Sequence, residues 1–206
     1  MKTLKNNSIN LDITYRCPLQ CPFCDRQFYK DAIKETRQYG EMSTEDFSKI
    51  LNFFNKIVFS GQTSDPIYHT DFHKLLEMFD KSNCTSLQVS TNGTRKSVEW
   101  WKKSYDMSKR VEWIFGLDGV DQETAEIYRK NTRFDEVFNA MLLGKEMGVN
   151  VTWQFIPFKH NEHQLNEYKK LCDRYDINHR IIQSDRWTPF QMKKHNIYPP
   201  QKEIKL

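Results

Sequence analysis

The chain reads Ile9-Asn10-Leu11-Asp12-Ile13-Thr14-Tyr15-Arg16 and continues without a break into Cys17-Pro18-Leu19-Gln20-Cys21-Pro22-Phe23-Cys24. Ile9, Leu11 and Ile13 alternate with polar residues, the period of two that marks a half-buried strand. Three cysteines then follow at C-x3-C-x2-C spacing, with no fourth cysteine or histidine close behind. A structural zinc site wants four protein ligands in a tetrahedral array, and an ordinary cubane iron–sulfur cluster wants four thiolates. Three thiolates on one short loop leave one metal position open, and an open position is where chemistry takes place. A zinc loop completed by a distant ligand such as His69 or His73 is the alternative reading of the same residues. A disulfide framework fits poorly. Met1-Lys2-Thr3-Leu4-Lys5-Asn6-Asn7-Ser8 shows no apolar stretch of a signal peptide, and three of the five cysteines lie within eight residues.

Beyond the cysteine loop, strand-like and helix-like patterns take turns. Ser43-Thr44-Glu45-Asp46 has the character of a capping box and leads into Phe47, Ile50, Leu51 and Phe54 at helical spacing. Ile57-Val58-Phe59 reads as strand two, and Asp71 opens a helix carrying Phe72, Leu75, Leu76 and Phe79. Strand three runs through Leu87 and Val89 to the turn signal Ser90-Thr91-Asn92-Gly93, and a polar helix with tryptophans follows around 96–104. Strand four spans Val111 to Leu117. The next helix, from Phe134, stops near Gly148, and strand five covers Val149 to Phe155. Asn161 is expected to cap a helix with Leu165, Tyr168, Leu171 and Cys172, ahead of strand six at Ile177–Ile182. From Ser184 on, no periodic element is clear in a Pro-punctuated, Lys-rich tail.

Alternation of this kind argues for right-handed βαβ units and a parallel sheet. Eight such units take about 250 residues, and this chain has 206. The expected fold is therefore α/β, a partial (β/α)6 TIM-like barrel open on one side, in residues 1–183, with 184–206 as a C-terminal tail. Functional residues should gather at the C-terminal ends of the strands, where the cysteine loop itself sits. Mean hydropathy is −0.78 and no stretch approaches a membrane span, so the chain reads as soluble and cytoplasmic. Net charge is +4, from 31 basic and 27 acidic residues, which is too mild and dispersed to argue for nucleic acid.

The cysteine motif resembles the signature of the radical S-adenosylmethionine (radical SAM) superfamily. That resemblance implies a [4Fe–4S] cluster held by Cys17, Cys21 and Cys24, and SAM bound through its amino and carboxylate groups at the open iron. One electron then cleaves SAM, and a 5′-deoxyadenosyl radical abstracts hydrogen from a substrate. Phe23, just before the last cysteine, belongs to the same signature.

Strand-end segments extend the likeness. Ser60-Gly61-Gln62-Thr63-Ser64-Asp65-Pro66 stands where many members carry Gly-Gly-Glu-Pro around the SAM amine. Gln62 replaces the second glycine, and Asp65-Pro66 matches Glu-Pro after two extra residues. A plain strand-to-helix turn would use the same residue types. The Thr91-Asn92-Gly93 stretch, with Ser90, resembles the segment that meets SAM in the molybdopterin-cofactor and peptide-modifying branch. Ser90 is the favoured direct contact over Asn92. Asp118-Gly119, Arg129 and Phe134-x-x-Val137 resemble the same branch, with Arg129 placed to pair with the SAM carboxylate. Gln154 and Asn161 are further candidates to face the cavity.

The cysteine-rich SPASM extension of related enzymes has no counterpart. Cys84 and Cys172 read as small buried hydrophobes, and no second cluster is assigned. An electron must then come from an outside donor of flavodoxin or ferredoxin type. The substrate is unidentified, with peptides or proteins as candidates. A small glycyl-radical activating enzyme and a deazapurine-type enzyme are the alternatives within the class. Outside it stands a non-catalytic zinc or iron–sulfur interaction module.

Overall fold

The computed structural model describes residues 7–28 and 40–201. Met1–Asn6 and the lysines beyond 201 lie outside the described residues. Six strands form one sheet in the order of the sequence, and all neighbours are parallel. They are β1 (Ser8–Leu11), β2 (Lys56–Phe59), β3 (Ser86–Thr91), β4 (Val111–Gly116), β5 (Asn150–Phe155) and β6 (Asn178–Ile181). Unbroken sequential order is the order of a barrel wall. Here β1 and β6 stand at the two ends, each paired on one side, so the expected partial (β/α)6 barrel is what the chain forms.

The helices between residues 44 and 174 lie against one face, and the two outside that range flank the cysteine loop. Together they are α1 (Asp25–Phe28), α2 (Thr44–Phe53), α3 (Phe72–Asp80), α4 (Val98–Met107), α5 (Gln122–Tyr128), α6 (Phe134–Glu146), α7 (Leu165–Arg174) and α8 (Pro189–His195). Short polar side chains start several of them. Ser43 Oγ accepts the Asp46 N–H at 3.0 Å, and Asp121 Oδ1 accepts the Thr124 N–H at 2.7 Å. Each bond satisfies one of the donors a helix start leaves without a partner.

The sheet's two faces differ in kind. Odd-numbered positions point outward into the helices: Ile57, Phe59, Leu87, Val89, Val111, Trp113, Val151, Trp153 and Phe155 are all buried. Phe72, Leu75, Leu76 and Phe79 of α3 meet them, as do Trp101 and Tyr105 of α4 and Tyr168 of α7. Cys84 and Cys172 are fully buried in this same core. Even-numbered positions line the concave face and are mostly polar, with Asn10, Gln88, Thr152, Gln154 and Arg180 among them and Val58 and Ile114 the apolar exceptions.

Two sequence expectations need correction. The segment after Ser184 is not without an element. Thr188 Oγ1 accepts the Gln191 N–H at 3.3 Å and starts α8, which ends at Asn196 in the left-handed conformation. Seven residues are too few for a periodic pattern to show. Asn161 does not cap with its side chain. Its amide is fully buried and joins loops, accepting the Phe158 N–H at 2.6 Å and donating to Asp118 and Ile156 carbonyls at 3.0 Å.

Candidate functional site

At the C-terminal ends of the strands a cavity of about 540 Å³ opens on the concave face. Cys17, Cys21 and Cys24 all border it, and so do Gly61, Gln62, Asp65, Ser90, Asn92 and Arg129. Nine of the ten residues named for the cluster and SAM thus meet in one place, while Asn161, a further candidate to face the cavity, is not among its lining. Phe23 stands apart: its ring is fully buried behind the loop, 6.0 Å from Tyr128 and 5.5 Å from Trp187.

The cysteine loop is clamped from several sides. Gln20 N–H donates to the Lys130 carbonyl at 3.2 Å, and Cys24 N–H closes a turn on the Cys21 carbonyl at 3.1 Å. Arg26 donates to the carbonyls of Tyr15 and Thr63, tying α1 to the loop after β2. Cys24 Sγ reaches the Gln62 carbonyl at 3.8 Å, and Asn92 Nδ2 reaches Cys17 Sγ at 3.7 Å. Burial pushes the Cys17 thiol up to about 12, with Asp65 adding to it. Burial likewise pushes Cys21 up to about 12, against the pull of Arg129. Thiols so placed stay protonated until a metal takes the proton's position. Among the described residues no three His, Cys, Asp or Glu side chains converge on a point as a single tetrahedral ion requires. An iron–sulfur cluster asks for less convergence, since each thiolate binds its own iron.

The loop after β2 is built on a carboxylate that the sequence reading passed over. Asp12 accepts the Gln62 N–H at 2.8 Å, the Thr63 N–H at 3.0 Å and the Thr63 hydroxyl at 2.9 Å. Gly61 takes φ +57°, and a Cβ there would stand 2.9 Å from the Ser64 carbonyl and 3.0 Å from Pro66. Only glycine fits both demands. Ser60, Gly61, Gln62 and Ser64 thereby border the cavity. Ser64 Oγ is buried and has no partner, although Ser64 lines the cavity.

Asp65 also lines the cavity, but its carboxylate is engaged from within the chain. It accepts the Ile67 N–H at 3.2 Å, the Thr91 hydroxyl at 2.9 Å, the Asn92 N–H at 2.7 Å and the Asn92 side-chain amide. Four donors fill the roughly four lone-pair positions of a carboxylate. Burial pushes Asp65 up to about 6, and the bonds from Asn92, Thr91 and Ile67 oppose it. Its position therefore locks the end of β3 to the end of β2. Ser90 stays at the cavity wall, with Gln88 Nε2 at 3.5 Å from its hydroxyl.

Arg129 follows α5 and lies largely buried over Gly116, where a Cβ would stand 2.5 Å from its Nη2. Its Nε donates to Asp118 Oδ2 at 2.7 Å, and Asp118 is fully buried. Burial disfavours the arginine's charge, but Asp118 outweighs it and holds the guanidinium protonated. Asp118 Oδ1 meanwhile accepts the Ile156 N–H at 2.7 Å. One edge of the guanidinium is thus fixed by the pair, while the residue still borders the cavity.

Gln154 lines the cavity as expected, beside Arg180, its register neighbour on β6. Sequence reasoning missed Arg180, Ser64 and Asp12. The alternation through strand six would have put Arg180 on the face of Gln154. Nothing local marks Ser64 or Asp12.

Several known proteins are similar to this chain. The mycofactocin maturase MftC of Mycobacterium ulcerans is 26% identical over 174 residues, which cover 82% of this chain and 45% of that protein. The tungsten-containing aldehyde ferredoxin oxidoreductase cofactor-modifying protein of Pyrococcus furiosus is 31% identical over 113 residues, covering 52% of this chain and 30% of that one. The chain thus spans less than half the length of these curated relatives. Streptococcus suis SuiB superposes with a TM-score of 0.69 at 16% identity, covering 92% of this chain and 44% of SuiB. The anSMEcpe enzyme with bound AdoMet gives 0.64 at 22% identity, covering 85% of this chain and 50% of that one. These two likenesses establish the fold. The family model for the radical SAM superfamily matches residues 11–173, most of the chain, and the protein belongs to that superfamily, with the [4Fe–4S] cluster and SAM as its cofactors.

Proposed function

We propose that this radical SAM enzyme abstracts hydrogen from a polar, peptide-class substrate that enters across the open side of the barrel. The observation that carries the reading is the cavity itself, where three thiols on one loop share a wall with a concave sheet face of amide, hydroxyl and guanidinium groups. The cluster, when bound, supplies the electron that cleaves SAM and so generates the radical.

The chain's own groups fit the parts of these cofactors. Cys17, Cys21 and Cys24 hold the cluster. The carbonyls at Gly61 and Gln62, with the unpartnered Ser64 hydroxyl, accept the SAM ammonium next to Cys24. Asp65 holds the ends of β2 and β3 in register and adds negative charge behind them. The free edge of Arg129 meets the carboxylate, and Asp118 keeps it from turning away. Ser90 and Asn92 stand along the same wall for the ribose end. Phe23 supports the loop from behind.

Substrate groups meet what remains. Gln88 and Gln154 each offer a donor and an acceptor, as a peptide bond demands in return. Arg180 is exposed and suits an acidic side chain or a terminal carboxylate. The relatives support the peptide class: SuiB is known bound to precursor peptide SuiA, and anSMEcpe bound to the Cp18Cys peptide. The test is to incubate reduced, cluster-loaded enzyme with SAM and peptide pools containing acidic residues. Deoxyadenosine formation should rise with a peptide that changes mass. Deoxyadenosine formed only with small-molecule extracts would overturn the peptide class, and none under any condition would overturn the catalytic reading.

A further inference from the structure

The cavity meets one side of the cysteine loop, and the other side is built differently. There Phe23 anchors a second apolar core with Leu19, Cys21, Tyr128, Phe158 and Ile197. Its rings are in contact: Phe23 with Trp187 at 5.5 Å, Trp187 with Phe158 at 5.4 Å, and Phe23 with His195 at 6.2 Å. Residues 186–198, including α8, form the roof. Ile197 folds back to 2% exposure, and the Lys159 N–H donates to the Tyr198 carbonyl at 3.0 Å. His195, 6.2 Å from the Phe23 ring, stands between the outer surface and the residue next to Cys24.

That outer surface is basic. Lys193, Lys194 and His195 form the last turn of α8, and exposed Lys130 and Lys159 belong to the loops beside it. Lys194 Nζ lies 5.9 Å from the centre of the Phe190 ring, and Phe190 is 71% exposed. Burial lowers His195, and Lys194 and Lys130 lower it further. Burial brings His160 down to about 4, with His163 and Lys130 adding to the effect. Lys130 thus faces both imidazoles. Nearby carboxylates are engaged: Glu162 accepts the Gln201 N–H at 2.7 Å, and Asp25 pairs with Arg186 at 3.3 Å. Cations in a last helical turn also favour the helix dipole. The dipole accounts for Lys193 and Lys194, but not for Lys130, for Lys159, or for a phenylalanine left in water beside Lys194.

We infer that this basic face around Phe190 is the docking site for an acidic one-electron carrier protein, so that the electron enters behind the cysteine loop while substrate enters in front. The inference rests on the cluster assignment proposed above. Cys84 and Cys172 lie buried in the separate outer core, away from this face. An exposed aromatic beside Lys194, at the edge of a basic face, matches a carboxylate-rich partner, with the ring as anchor and the charges as steering. The step itself moves one electron. A flavin hydroquinone on the carrier becomes the semiquinone, the cluster goes from the 2+ to the 1+ state, and no covalent bond forms or breaks.

The experiment uses cluster-loaded enzyme and flavodoxin. Binding is measured with oxidised flavodoxin by calorimetry, and cluster reduction with flavodoxin hydroquinone by stopped flow, each at low and high salt. The Lys193→Glu/Lys194→Glu double variant should bind at least tenfold more weakly and be reduced correspondingly slowly, with a flatter salt dependence. Its SAM affinity and its reduction by dithionite should match the wild type. Phe190→Ser should weaken binding with the salt dependence retained. Unchanged flavodoxin binding and reduction in the double variant would overturn the inference, as would an equal loss in a Lys74→Glu/Lys102→Glu control on α3 and α4. Wild-type enzyme that makes no deoxyadenosine under dithionite would instead break the catalytic reading, without bearing on where flavodoxin binds.

Discussion

The two faces of the sheet obey different rules. Parallel sheets are ordinarily covered on both faces, and their strands then read as continuous apolar runs. In this chain the convex face follows that rule. Trp113, Trp153, Phe115 and Phe155 are fully buried against helices, and Trp153 Nε1 donates to the Leu117 carbonyl at 2.7 Å. The concave face does not, for its strands present Asn10, Gln88, Gln154 and Arg180 to an open cavity. Half a sheet supplies the stability, and the other half is left polar, facing the cavity in which the proposed function puts cofactor and substrate. The same division recurs at the cysteine loop, with hydrogen-bonding groups in front and packed rings behind.

If the division is real, changes on one face should leave the other's property intact. The largest effect belongs to Cys21→Ala, which should abolish bound iron and the visible absorbance of the cluster while the convex core holds the fold. Full iron retention would show that the loop is not the metal site. Trp153→Ala should lower unfolding stability by about 3–5 kcal/mol, the usual cost of emptying a large buried aromatic site. Cluster loading and SAM affinity, measured well below the melting transition, should stay near wild type. Lost SAM affinity in the folded variant would show the two faces to be coupled.

The strand-two loop should divide its effects by residue. Asp65→Ala removes a carboxylate bonded to four donors, so SAM affinity should fall roughly ten- to hundredfold, about 1.5–3 kcal/mol, with a measurable stability loss as well. Ser64→Ala should cost SAM about fivefold in affinity, near 1 kcal/mol, and leave stability alone. Gln62→Ala should do least, because that position contributes its backbone. Isothermal titration of SAM at equal cluster loading gives the order. Ser64 and Gln62 both silent would mean that backbone carbonyls alone hold the ammonium.

The smallest effect concerns the packed rings behind the loop. His160 stacks on Phe158 at 5.1 Å, and neither ring nitrogen has a partner. With its folded-state value near 4, below the ordinary 6.5, the unfolded chain takes up the proton first. Its contribution is therefore full above pH 6.5 and shrinks as pH falls toward 4. His160→Phe keeps the stack and should flatten urea stability across that window. An unchanged slope would show that the imidazole titrates as it does in water.

Much of this was legible in the residues alone. The period-two strands, the Ser43 cap, the C-x3-C-x2-C loop and their order sufficed for a six-unit parallel sheet with a three-thiolate centre at a strand end. Spacing carries that information because cysteine ligation and strand alternation are local. The position of α8 was not legible, since seven residues hold too few turns for a pattern and its partner Phe23 lies far away in sequence. Nor was the internal use of Asp65. An acid before proline looks available on paper, and only the approach of β3 brings Thr91 and Asn92 to its oxygens. Asp12 and Ser64 were invisible for the same reason, as their meaning comes from what lies across the loop. The sequence by itself determined which chemistry the protein carries, because ligand type and strand period are properties of neighbouring residues. The tertiary structure alone decided which groups remain free to act, because a polar group is spoken for or left open only by what folds against it.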